Sequence, residues 1–157
     1  DQVFVDKFSY NFRRPEAGDV FVFKTTGIPR IQATLAPAVE SQHYIKRLAG
    51  LPEQTLRIDS PKLFVNGELS ENPLFQRVMS EKNGYRGYSN PSKLQGALYL
   101  TEPGDAFTLP AKTYFALGDN SYQSSDSRFW GIVPEQNVAG RGFVVYWPFS
   151  KRWGLIR

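Results

Sequence analysis

Two places in this 157-residue sequence hold side chains whose types and spacing could do chemistry. The first is Lys46. In a strand over 43–51, Tyr44, Lys46 and Leu48 share one face, and His43, Ile45, Arg47 and Ala49 share the other. An amine lined by apolar neighbours loses its proton readily and can serve as a base toward a hydroxyl. A strand lysine that packs its stem and sends its head to water reads the same way. The second place is Gly118-Asp119-Asn120-Ser121-Tyr122-Gln123-Ser124-Ser125-Asp126-Ser127-Arg128, a polar run directly after the apolar 114–117. It is equally a tight turn, in which Gly permits the bend and Asp and Asn bond their own backbone. Asp126 and Arg128 are close enough to pair across it. His43 falls on the face opposite Lys46, so a Ser–His–Asp arrangement using it as base is not expected.

Composition narrows the chemistry further. Cysteine is absent and His43 is the single histidine. Disulfides, thiolate catalysis, Cys-based zinc sites and a multi-histidine metal centre are thereby excluded, and no metal or cofactor is expected. The net charge is +4, but Lys and Arg are scattered singly apart from pairs such as Arg13-Arg14 and Lys151-Arg152. Without a basic stripe, no nucleic-acid partner is expected. No window approaches the ~18 apolar residues of a spanning helix, and no charged-then-apolar leader opens the chain. As written, it reads as soluble.

The elements that must position these residues are short strands. Aromatic residues make up 15% of the chain, a bias that favours strands over helices. Strand composition marks 2–8, then 20–23 after the turn at 14–19, then 43–51 and 55–58. Asn66-Gly67 between 63–65 and 68–69 is a hairpin turn. Residues 25–42 read mostly as loop, and 70–96 as a polar, turn-rich excursion with one helical turn near 73–80. Strands resume at 106–109, 113–117 and 142–147, with a last one over 153–156. There is no internal repeat and no long amphipathic helix. The expected fold is mainly β, a sandwich or barrel of short coiled strands in one domain over 1–157, with a small inserted subdomain over 60–112.

Three segments resemble boxes of the bacterial type I signal peptidases. Arg14-Pro15-Glu16-Ala17-Gly18-Asp19-Val20-Phe21-Val22-Phe23 is similar to their Gly-Asp-Val-Val-Phe box. His43-Tyr44-Ile45-Lys46-Arg47-Leu48-Ala49-Gly50-Leu51-Pro52 is similar to their Tyr-Ile-Lys-Arg…Gly-Leu-Pro box. Gly118-Asp119-Asn120 through Ser124, Asp126-Ser127-Arg128 and Trp130-Gly131 is similar to their Gly-Asp-Asn…Ser-x-Asp-Ser-Arg-x-Trp-Gly box. The boxes stand in the family's order, and 60–112 is the part poorly matched.

The resemblance implies a serine–lysine endopeptidase that removes signal peptides from exported preproteins, on the outer side of the bacterial cytoplasmic membrane. By motif position, Lys46 corresponds to the general base and Ser124 to the hydroxyl that orients it. Asp126 and Arg128 correspond to a supporting pair, Gly118, Asp119 and Asn120 to the turn that carries them, and Val22, Tyr44 and Ile45 to the lining of small substrate pockets. An upstream anchor, and an apolar patch touching lipid, are the implied membrane partners. Two departures stand out. Leu51-Pro52-Glu53-Gln54 lacks the glycine that usually follows Gly-Leu-Pro. The family's nucleophile lies in a Ser-x-Met-x-Pro-Thr segment ahead of a strand like Asp1-Gln2-Val3-Phe4-Val5, and the single methionine, Met79, has no Pro-Thr behind it. The nucleophile is expected upstream of Asp1, leaving this chain inactive alone. The alternatives are a self-cleaving repressor-type serine–lysine domain and a non-catalytic peptide-binding relic.

Overall fold

Runs of β-branched and aromatic residues too short for helices take up strands and dominate the architecture. The computed structural model describes residues 2–35, 41–147 and 154–155. In chain order these form β1 (Gln2–Asp6), α1 (Ser9–Phe12), β2 (Val20–Lys24), α2 (Pro29–Gln32), β3 (His43–Gly50), β4 (Thr55–Asp59), β5 (Lys62–Val65), β6 (Glu68–Leu69), α3 (Pro73–Met79), β7 (Ala106–Thr108), β8 (Thr113–Leu117), α4 (Ser127–Trp130), β9 (Val133–Pro134), β10 (Val138–Trp147) and β11 (Gly154–Leu155). The fold is mainly β, as the sequence indicates.

Two antiparallel layers result. One follows the order β1-β10-β2-β3-β8-β9, with β11 also on β10; the other runs β6-β5-β4-β7. The chain passes from the first to the second where β3 gives way to β4. Strand β8 is buried along its whole length, because both of its faces are covered. Tyr114 and Ala116 join Phe21, Phe23, Leu48, Trp130 and Val133 in one core, while Phe115 and Leu117 join Ala49, Leu56, Ile58, Leu63, Phe75 and Tyr88 in the other. Leu48 and Ala49 of β3 divide between the same two cores, so β3 and β8 form the partition of the molecule.

Local chemistry explains several boundaries. Asn66 (φ 52°) and Gly67 (φ 85°) make the β5–β6 turn with two positive φ values, the pattern that suits a tight hairpin. Asn72 accepts from the Leu74 N–H at 3.0 Å and caps α3, with Pro73 in the first turn where its missing N–H costs nothing. The loop expected over 25–42 contains α2. Its start again places a proline, Pro29, in the first turn, and Ile31 gains burial there. Strand β10 begins at Val138, four residues ahead of the expected start, since it pairs with β2 as well as with β1. Of the strand expected over 153–156, Gly154 and Leu155 pair with Val145 and Val144; Trp153 and Ile156 lie outside the described residues. Glu53, at the position of the resembled family's glycine, keeps a left-handed backbone with φ 67°. A left-handed residue there is suited to glycine, and this chain carries glutamate instead.

Candidate active site

Pairing of β3 with β8 (Arg47 opposite Leu117, Leu48 opposite Ala116) brings the end of β8 beside Lys46. The chain then turns at Gly118 and doubles back through a 3-10 turn at Ser121–Gln123 to α4. This return sets Ser124 against the strand. Lys46 Nζ donates to Ser124 Oγ at 3.1 Å across 78 residues of sequence. Lys46 is half-buried on the face it shares with Tyr44 and Leu48. Burial pulls its ammonium below the ordinary lysine value of 10.5, the positive Arg128 adds to that, and Asp126 opposes both.

Asp126 is fully buried and almost wholly spoken for. Arg128 donates to it through Nε at 2.8 Å and Nη2 at 2.7 Å, and the backbone N–H groups of Gly118 and Arg128 donate at 3.0 and 3.2 Å. A bidentate guanidinium paired with a carboxylate away from water is a rigid unit. The pair acts on the amine with opposite signs, Asp126 favouring its ammonium form and Arg128 disfavouring it. Gly118 is held to glycine by contact: a Cβ there would overlap Ser124 Oγ and Cβ.

The turn is fixed from its other side by Arg47. Its Nε and Nη2 donate to Asp119 at 2.6 Å each, and its Nη1 donates to the Gly18 carbonyl at 2.9 Å. Asn120 contributes locally, donating to Gln123 at 3.0 Å on the exposed face. The structure therefore brings Lys46, Ser124, Asp126, Arg128, Gly118 and Asp119 together. Val22 and Ile45 are direct partners in the β2–β3 ladder, so they share the face away from Lys46, while Tyr44 stands on the Lys46 face opposite Phe23. His43 is exposed at the start of β3, opposite Lys24.

Arg47, Ser89, Ser121 and Ser127 carry structural weight that the sequence reading did not assign. Ser127 Oγ accepts from the Ala116 N–H at 2.9 Å. For Arg47 the alternation along β3 indicated only that it points away from Lys46; its partner Asp119, 72 residues on, is set by the fold. No signal in sequence marks Ser89, which lies 39 residues from its partner Arg128.

The site is thus a strand amine of an antiparallel β core bound to a serine of a returning loop. The family model for signal peptidase, peptidase S26, matches residues 1–147. The chain belongs to that family. It is 32% identical to signal peptidase I of Leptolyngbya laminosa over 96% of this chain and 62% of the relative. It is 32% identical to signal peptidase I of Pseudomonas aeruginosa over 99% of this chain and 62% of that protein. Among solved structures it resembles a signal peptidase I from Enterococcus faecalis V583, with a TM-score of 0.55 and 26% identity over 82% of this chain and 97% of the other. The chain spans a little over three-fifths of the length of those two curated relatives.

Proposed function

We propose that this chain is the core of a signal peptidase I, an endopeptidase that removes signal peptides from exported preproteins with a serine–lysine dyad. The observation that carries the reading is the half-buried Lys46 amine, partly shielded from water and bound to Ser124 Oγ at 3.1 Å. A serine hydroxyl attacks a peptide carbonyl only when a base takes its proton. Lys46 is that base in its neutral form; Ser124 fixes the direction of its lone pair, and Asp126 with Arg128 holds the loop that delivers Ser124. The attacking serine comes from a Ser-x-Met-x-Pro-Thr segment that this sequence does not contain. Once deprotonated, that serine forms the acyl intermediate while Lys46 carries the proton to the leaving amine.

Val22, Tyr44 and Ile45 line shallow pockets that take small residues before the cut, and an extended substrate adds backbone affinity by pairing with a strand. The segment over 60–112 is the variable insert. The protein works at the outer face of the bacterial cytoplasmic membrane, and the exposed rings of Phe4, Phe8, Phe12 and Phe143 meet the lipid. Among the described residues no helix is long and apolar enough to cross a membrane.

In the full-length protein, Lys46→Ala should lower preprotein cleavage by about 10³-fold or more with an unchanged circular dichroism spectrum. Cleavage close to the unsubstituted rate would end the assignment.

A further inference from the structure

The guanidinium of Arg128 is held by more than Asp126. It is fully buried, and each of its five N–H groups has an acceptor. Nη2 donates to the Ser121 carbonyl at 2.7 Å as well as to Asp126. Nη1 donates to the Ser89 carbonyl at 2.8 Å, to Ser121 Oγ at 2.8 Å and to Ser89 Oγ at 3.0 Å. Ser121 Oγ also accepts from the Ser89 N–H at 3.0 Å. With both lone pairs engaged by N–H donors, the Ser121 proton has Ser89 Oγ as its acceptor, 3.3 Å away. Ser121 and Ser89 are themselves 4% and 9% exposed, so water competes little for these bonds.

We propose that Ser121 and Ser89 are positioning residues for the Lys46 base, acting together as a clamp that holds Arg128 flush against Asp126. The proposal rests on the reading of Lys46 as the base, and it assigns a role to the segment around Ser89: this stretch of the 60–112 region buttresses the site from behind. The logic is redundancy. Two protons on Nη1 face three acceptors, so removal of either hydroxyl still leaves two acceptors. Removal of both leaves only the Ser89 carbonyl, and a buried N–H without a partner is costly enough to move the guanidinium.

The consequence is electrostatic. The charged groups facing Lys46 Nζ are Asp126, which favours the ammonium, and Arg128, which disfavours it. Facing Arg128 are Asp126 and the buried Tyr88 phenol, whose pKa burial raises far enough to keep it neutral through the working range. Arg47 and Asp119 lie beyond Tyr88 and neutralise each other at 2.6 Å. When Arg128 slips, Asp126 is less compensated and Lys46 holds its proton to higher pH.

A double-mutant cycle tests this. The Lys46 side chain is followed by NMR in 13C-lysine-labelled protein, assigned with Lys46→Ala, for Ser121→Ala, Ser89→Ala and the pair. Each single change should move the Lys46 titration little; the pair should move it upward by more than the two singles summed. In the full-length enzyme, the pair should lose about two- to fivefold in kcat/KM on the acid limb and recover toward high pH, while KM changes less than kcat. Should the pair not fold, Ser121→Thr combined with Ser89→Ala, which keeps one hydroxyl and so two Nη1 acceptors, must titrate with the parent's midpoint; a clear upward shift there would overturn the clamp. A folded double variant that titrates like the parent overturns the clamp. Full activity of Lys46→Ala would instead overturn the base assignment.

Discussion

At the scale of single residues, the site depends on how much water one amine keeps. Because burial lowers the Lys46 pKa below 10.5, the folded chain binds fewer protons at this group than the unfolded chain between the two pKa values. Stability must therefore rise with pH across that window, and the penalty is complete below the folded pKa. Lys46→Met, which keeps the stem and removes the charge, should raise Tm at neutral pH, with the advantage fading as pH climbs toward 10.5. An advantage independent of pH would mean the amine is not desolvated. Ser124→Ala should leave the base in place but free to turn, with a loss of roughly ten- to a hundredfold in kcat. Gly118→Ala should cost at least as much, because its new Cβ takes the space of the Ser124 side chain. These residues were legible in the sequence by motif and spacing. Ser121 and Ser89 were not, since their importance comes from meeting a buried guanidinium that only the folded chain brings to them.

Among the elements, β8 and β3 matter most, since the site hangs on the edge where they meet. Phe115 packs against Tyr99 (6.3 Å between ring centroids) and Phe107 (5.9 Å) on one face of the partition. Phe115→Ala should destabilise by about 3–5 kcal/mol, measured by denaturant unfolding, and activity should fall only in proportion to the folded fraction. Glu53 offers the opposite case. Its left-handed φ of 67° costs an ordinary residue about 1–2 kcal/mol, so Glu53→Gly should be neutral or stabilising even though it loosens the unfolded chain. Strand existence was readable from short apolar runs and from Asn66-Gly67. The start of β10 and the helical turn α2 were not, because pairing with β2 extends the one and burial of Ile31 selects the other.

Over the whole molecule, two cores share a single partition, and the loop that carries Ser124 closes over its edge. Layer order was beyond the sequence reading: an antiparallel strand buried on both faces, as β8 is, shows none of the alternation that would announce its neighbours. The exposed aromatic rings sit apart from that core. Phe8 and Phe12 are 73% and 88% exposed and four residues apart, so replacing both with Ser should weaken binding to anionic vesicles by roughly tenfold or more without changing Tm. Unaltered vesicle binding would remove these rings from the lipid contact. The most direct test of the catalytic reading is the titration of the Lys46 amine in the unsubstituted chain. A midpoint clearly below 10.5, lost from the spectrum in Lys46→Ala, is the expected result. A midpoint at 10.5, that of a lysine in open water, would contradict a base at this position.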